Sequence, residues 1–328
     1  TQPGEQPTAL TDAVVPTALA IPGWNGSAIR ANELWALGFV GQGVTVAIID
    51  TGVDGLHPDL DAAYRGGSNS WFDPNEQHAT PADNSSGHGI QVAGLILGGD
   101  ASGATIGVAP GAQWIAAKIY NDAGVTSLSS IHSALQWAID PDGNPATNDA
   151  PDIVNNSWSL SVAGSCNLEF QEDINKLTAA GVAVVFSAGN FGPGSSSSAS
   201  PANNSSTIAV GAVDGALNIG SFSSRGPSAC GGGLYPHIVA PGVNVMTSDL
   251  TFGGIFPDSY MTVSGTSFSA PHISGALALL KSANPASTLN AIQTAIYASA
   301  VDLGATGADS DYGNGMLDVA SAHNLINA

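Results

Sequence analysis

The amino-acid sequence predicts an α/β fold, a three-layer sandwich whose mostly parallel central sheet is flanked by helices. Two observations carry that prediction. Continuous apolar runs of strand length recur at Val44–Ile49, Trp114–Ile119, Ile153–Asn156, Val182–Phe186 and Thr207–Val213, as strands buried on both faces require. Between them lie stretches with helical spacing of apolar residues, at His88–Leu97, Leu128–Ile139 and Leu168–Ala180. Strand and helix therefore alternate, the pattern of a parallel sheet with crossover helices on its faces.

Taken in order, residues 1–24 form an N-terminal arm, since residues 1–22 hold four prolines and no sustained periodicity. The arm reads as a remnant of processing, because the chain starts at Thr1 with no basic, then apolar leader. The domain proper spans 25–328. Ile29–Leu37 has helical spacing, Gly41-Gln42-Gly43 turns the chain into the first strand, and a long apolar helix including Gly275–Leu280 follows the last motif discussed below.

Composition narrows the functional classes. Hydrophobic residues make up 43% of the 328 and charged residues 10%, ample for a packed core and unlike a disordered chain. Six Lys and Arg against 26 Asp and Glu leave a net charge of −20, which phosphate backbones and anionic membrane surfaces repel. Nucleic acid and membrane are therefore excluded as expected partners, and no stretch approaches the roughly 20 apolar residues a bilayer crossing needs. Cys166 and Cys230 read as one disulfide in an exported protein, with two buried thiols as the alternative. Closing such a loop is worth roughly 4 kcal/mol in the chain-entropy model.

Three residues at strand–helix junctions carry candidate chemistry. Asp50 ends the first apolar run and is followed by a Gly-containing turn, placing a carboxylate at the carboxyl edge of the sheet. His88 sits between Gly87 and Gly89 at the start of a helix, with small neighbours that leave room for a ligand. Ser267 precedes the long apolar helix, where the amide dipole stabilises negative charge near its hydroxyl. Alone, each has an ordinary explanation as a turn residue, a structural histidine or a helix cap. Together they are the parts of a nucleophilic triad.

The segments around them resemble the subtilisin-like serine proteases, the subtilases. Ile49-Asp50-Thr51-Gly52, Gly87-His88-Gly89 and Gly265-Thr266-Ser267-Phe268-Ser269-Ala270-Pro271 look like the family's signatures in its order, and Ser187-Ala188-Gly189-Asn190 looks like the segment of the oxyanion Asn. The resemblance implies a subtilisin-like fold and a secreted, monomeric serine endopeptidase. Asp50, His88 and Ser267 would be its triad and Asn190 its oxyanion donor. It further implies protein or peptide substrates lying between Gly124-Val125-Thr126 and Ser157-Trp158-Ser159. Ala188 and Gly189 would wall the primary pocket and Ala199 would floor it, favouring apolar P1 side chains. An N-terminal pro-segment would serve as a partner during maturation.

The same resemblance implies no cofactor for catalysis, and structural calcium with Asp59 and Asp100 as ligands. Ile90, Gln91, Phe268 and Ser159 depart from the family's usual residues. His57, Trp158, His272 and Arg225 read as structural. Two rivals remain at this stage. An acid-acting sedolisin-type peptidase is opposed by His88 and Asn190, and a catalytically inactive subtilase-like peptide-binding scaffold is opposed by the filled triad positions.

Overall fold

In β1 (Thr45–Asp50), Val46 and Ile48 face one side of the sheet while Ala47 and Ile49 face the other, and all four are fully buried. The two-residue period of a strand divides the apolar run between two separate cores. The computed structural model, which describes residues 23–160 and 162–328, builds a seven-stranded sheet around this strand in the order β2-β3-β1-β4-β5-β6-β7. The other strands are β2 (Trp71–Phe72), β3 (Gln113–Lys118), β4 (Ile153–Asn156), β5 (Ala183–Ser187), β6 (Ile208–Val213) and β7 (Ile238–Pro241). Every pairing within it is parallel.

Helices cover both faces. On one lie α1 (Trp24–Ala28), α2 (Ala31–Ala36), α3 (His88–Leu97), α6 (Ala270–Ala283), α7 (Leu289–Ala298) and α8 (Val319–Ile326); on the other lie α4 (Leu128–Trp137) and α5 (Gln171–Ala179). The expected three-layer sandwich is thus what the chain forms. Helix α6 is buried on all sides from Ala270 to Leu280, so its apolar pattern has no polar stripe. Truncating Leu277 in its middle would cost about 2–5 kcal/mol by the usual figure for a buried leucine.

Several elements differ from the sequence expectation. The helix expected over Ile29–Leu37 is shorter, α2 (Ala31–Ala36), and starts only after Arg30, which takes a left-handed conformation (φ 61) at its N-terminus. From there its guanidinium bridges Glu33 and Asp318 at 2.8 Å each. Strands β2 and β7 are too short to show a period, and an antiparallel pair, β8 (Val245–Ser248) and β9 (Tyr260–Val263), stands outside the main sheet against α3. The arm expected over residues 1–24 lies largely outside the described residues, with Trp24 already in α1.

Candidate active site

Strand β1 lies between β3 and β4, so the chain crosses from β1 to one side and later returns on the other, which opens a crevice at its carboxyl end. Asp50 closes β1 at this point, with 1% of its side chain exposed. His88 is the first residue of α3, and its Nδ1 lies 2.7 Å from Asp50 Oδ1. An ionised carboxylate only accepts, so Nδ1 carries the proton and Nε2 is left as the ring's acceptor. Burial disfavours charge on the ring, but the Asp50 charge and hydrogen bond outweigh it, and the His88 pKa is raised on balance.

The pairing is enforced from both sides. Helix α3 has no side chain of its own capping its first turn, and its free N–H groups are taken by residues from elsewhere. Gly89 N–H donates to Thr51 Oγ1 at 2.8 Å, so the residue after Asp50 caps the helix beside His88. A Cβ on Gly89 would fall 1.8 Å from the Gly52 carbonyl oxygen, and one on Gly52 would fall 2.0 Å from that of Ala82. Glycine at 89 lets the start of α3 touch the chain after β1 backbone to backbone, and glycine at 52 lets that same chain touch the segment leading into α3. Lys118, fully buried at the end of β3, donates to the Thr51 carbonyl at 3.0 Å and to that of Tyr120 at 2.9 Å.

Ser267 lies in a 3₁₀ turn, Thr266–Phe268, leading into α6. Its hydroxyl donates to the Ser157 carbonyl at 3.0 Å, and the Ser157 hydroxyl donates to the Ser267 carbonyl at 2.7 Å. Behind them Asn155 donates to Ser157 Oγ at 3.0 Å and accepts from Ser274 Oγ at 2.8 Å. The Ser267 backbone is therefore tied to β4 and α6 through a buried polar chain. The Phe268 ring lies 5.4 Å from that of His88.

Asn190, exposed after β5, accepts at Oδ1 from the N–H and the hydroxyl of Thr266, each at 2.9 Å. A backbone N–H can only donate, so the oxygen must face it and Nδ2 is the end left to donate outward. Thr266 Oγ1 also accepts from Gly189 N–H at 3.1 Å.

Ser157, Trp158 and Ser159 extend from β4 and line a cleft together with Asp50, Thr51, His88 and Tyr120. The Trp158 indole itself is turned into the core, donating to the Ile49 carbonyl at 3.1 Å. Gly124 and Val125 belong to a tight exposed turn closed by Asn121 N–H to the Val125 carbonyl at 2.9 Å. Among the described residues, the backbones of Thr126 and Ser159 have no hydrogen-bond partner. Ala188 and Ala199 are fully buried, and a Cβ on Gly189 would meet the Ala199 methyl at 2.9 Å. Tyr235 joins them: its hydroxyl donates to the Ala188 carbonyl and accepts from Ala199 N–H at 3.2 Å. Cys166 and Cys230 are disulfide-bonded, with Cα atoms 4.9 Å apart.

Asp59, nominated for calcium, is engaged by protein donors. Its Oδ1 accepts from Ala101 N–H at 2.7 Å and its Oδ2 from the Tyr260 hydroxyl at 2.8 Å, while the Asp100 side chain is exposed. Calcium needs six to eight oxygens, and here the nominated buried carboxylate already serves protein donors. Among the described residues, the carboxylates that do converge are Asp140, Asp142 and Asp149, whose oxygens lie within 4.8 Å of one another. His57 accepts from Asp59 N–H at 3.1 Å and bonds the Ser259 carbonyl at 3.0 Å, a loop-ordering role. Burial pushes His272 down to about 4, and as a neutral ring it donates from Nδ1 to the Phe268 carbonyl at 2.8 Å and accepts at Nε2 from Asn25 at 2.9 Å.

The sequence did not single out Thr51, Asp83, Lys118, Tyr120, Tyr235 or Thr266. The hydroxyl of Thr266 inside the Ser267 motif was the one detectable signal among them.

A parallel sheet presenting an Asp–His pair, a serine before a buried helix and an outward-facing amide at its carboxyl edge is the architecture of an α/β serine hydrolase. The sequence pattern of the Subtilase family matches residues 41–315. Bacillopeptidase F of Bacillus subtilis is 37% identical over 327 residues, which is 92% of this chain but 22% of that much longer protein. Subtilisin Savinase of Lederbergia lenta is 37% identical over 93% of this chain and 99% of its own length, and an alkaline protease of Alkalihalobacillus alcalophilus is 37% identical over 95% and 72%. The chain belongs to the subtilase family of serine endopeptidases.

Proposed function

We propose that this chain is a secreted endopeptidase that cleaves peptide bonds through Asp50, His88 and Ser267. The observation that carries the proposal is the 2.7 Å bond between Asp50 and His88, which commits Nδ1 and frees Nε2 beside the cleft. In the first step the Ser267 hydroxyl turns from the Ser157 carbonyl toward His88 and gives its proton to Nε2 while Oγ bonds the substrate carbonyl carbon. The carbonyl π electrons move to oxygen, and the oxyanion accepts from Asn190 Nδ2 and the Ser267 N–H. Collapse breaks the C–N bond, and the amine leaves with the proton from His88. Water then repeats the sequence on the acyl-enzyme, restoring Ser267.

Substrate backbone would pair with the free backbone groups of Thr126 and Ser159 as an added strand. The Ala188, Gly189 and Ala199 surround offers no carboxylate for a basic P1 residue, which supports a preference for apolar P1. A disulfide persists in oxidising compartments, which supports export. The test is labelling with a fluorophosphonate followed by mass spectrometry. An adduct on Ser267 that vanishes in His88→Ala is expected, and native protein that takes no adduct would refute the proposal.

A further inference from the structure

Asp83 belongs to the segment before α3, and its backbone bridges to Gly52 at the end of β1. Its two oxygens serve two backbone donors: Oδ1 accepts from Asn84 N–H at 2.7 Å and Oδ2 from Ile90 N–H at 2.8 Å. Ile90 lies in the first turn of α3, two residues after His88, so Asp83 supplies the helix cap that Gly87 lacks. It also sets a carboxylate near a helix N-terminus, where negative charge is favoured.

We propose that Asp83 is a positioning residue for peptide-bond cleavage: it holds the first turn of α3, and His88 with it, and its charge joins that of Asp50 in favouring the imidazolium formed during acyl transfer. This rests on the catalytic reading of His88 given above. The charged and titratable groups that act on Asp83 or share its pocket among the described residues are Asp50 at the end of β1, Asp54 in the following turn and His88 on α3. Asp54 is engaged by Thr251, and His88 is the one group among them that can carry positive charge. The Asp83 charge acts to raise the His88 pKa. Burial pushes the Asp83 carboxyl itself up to about 7, against the Thr51 hydroxyl and the Ile90 and Asn84 N–H groups, and Asp50 adds to the rise. The second carboxylate is therefore retained at an electrostatic cost, and a neutral cap would have avoided it.

The experiment compares Asp83→Asn with the unaltered chain, measuring kcat and KM on a chromogenic peptide against pH. It also follows the His88 ring by NMR titration in a Ser267→Ala background with and without Asp83→Asn. We expect kcat to fall about tenfold with KM within about twofold, as for a misplaced catalytic group. We also expect His88 to titrate at lower pH, because a carboxylate favouring its charged form is gone. Asp83→Ser, which likewise keeps one acceptor and no charge, should show the same shift of the His88 titration, and it replaces Asp83→Asn if that variant does not fold. An unmoved His88 titration would overturn the proposal, whether or not kcat falls, since a fall alone marks a merely structural residue. If the unaltered chain cleaves no peptide, the functional reading fails instead, and the NMR titration still reports whether Asp83 acts on His88.

Discussion

The side-chain oxygen of Asn190 accepts two hydrogen bonds from Thr266, one from its N–H and one from its hydroxyl, both 2.9 Å long. Thr266 immediately precedes Ser267, so the Ser267 hydroxyl and the Asn190 amide are set by one turn of chain. Thr266→Val keeps the shape, removes the hydroxyl bond and deprives Gly189 N–H of its acceptor. The expected outcome is a kcat lowered about tenfold at little changed KM, consistent with one hydrogen bond's worth of lost orientation. Asn190→Ala should lose on the order of 10²–10³ in kcat, a magnitude carried over from subtilisin, a relative. Steady-state kinetics on one peptide checks both.

Tyr235→Phe keeps the buried ring but leaves the Ala188 carbonyl and Ala199 N–H without their shared partner. The expected cost is about 1–3 kcal/mol of stability for two buried polar groups left unpaired. With the two segments no longer tied, the ratio of kcat/KM between Phe and Ala at P1 should narrow severalfold. A peptide series differing only at P1 measures this, and a parallel profile would count against it.

Peroxide should spare activity. Phe268, beside the nucleophile and 7% exposed, has no sulfur to oxidise, whereas Met246 and Met261 are 41% and 39% exposed and Met316 is buried. Millimolar hydrogen peroxide is expected to convert Met246 and Met261 to sulfoxides while most activity survives. Peptide mapping alongside residual activity checks it. The weak point is Met261, whose sulfur meets Gln91 Nε2 on α3 at 2.9 Å.

His132 gives stability a pH dependence away from the active site. Burial lowers its pKa, but hydrogen bonds to Asp173 at 2.5 Å and Glu169 at 3.2 Å outweigh it, so the pKa is raised on folding. A raised folded pKa means the stabilisation is full below the unfolded value near 6.5 and is lost as pH rises through the folded value. His132→Gln should therefore lower Tm at pH 5.5 by about 2 °C, given the modest worth of partly exposed ion pairs, and by less at pH 9. Thermal scans at the two pH values decide it.

The sheet and its main helices were legible because apolar period is a local signal; His88–Leu97 is a helix with the predicted bounds. Asp50, His88 and Ser267 could be nominated because each sits in a short motif at a strand–helix junction, and Asn190 because of the short motif that follows β5. What supports them was not. Thr51 caps α3 from β1, Tyr235 reaches Ala188 from 47 positions away, and Lys118 is a charged residue in a run that otherwise reads as apolar. The partner of Asp59 was hidden for a related reason: the Tyr260 hydroxyl that donates to it lies 201 positions later, and nothing in the local sequence announces that donor. The late start of α2 was equally hidden: Arg30, left-handed just before it, pairs with Asp318 near the other end of the chain.

Gly52 and Gly89 contribute no functional group, yet neither position has room for even a methyl. In a library of random variants selected for activity, both should come back as glycine in essentially every survivor, as invariant as the serine itself. Sites chosen for diversification should therefore skip them, and a variant that does tolerate alanine at 89 would reveal a second way of joining β1 to α3.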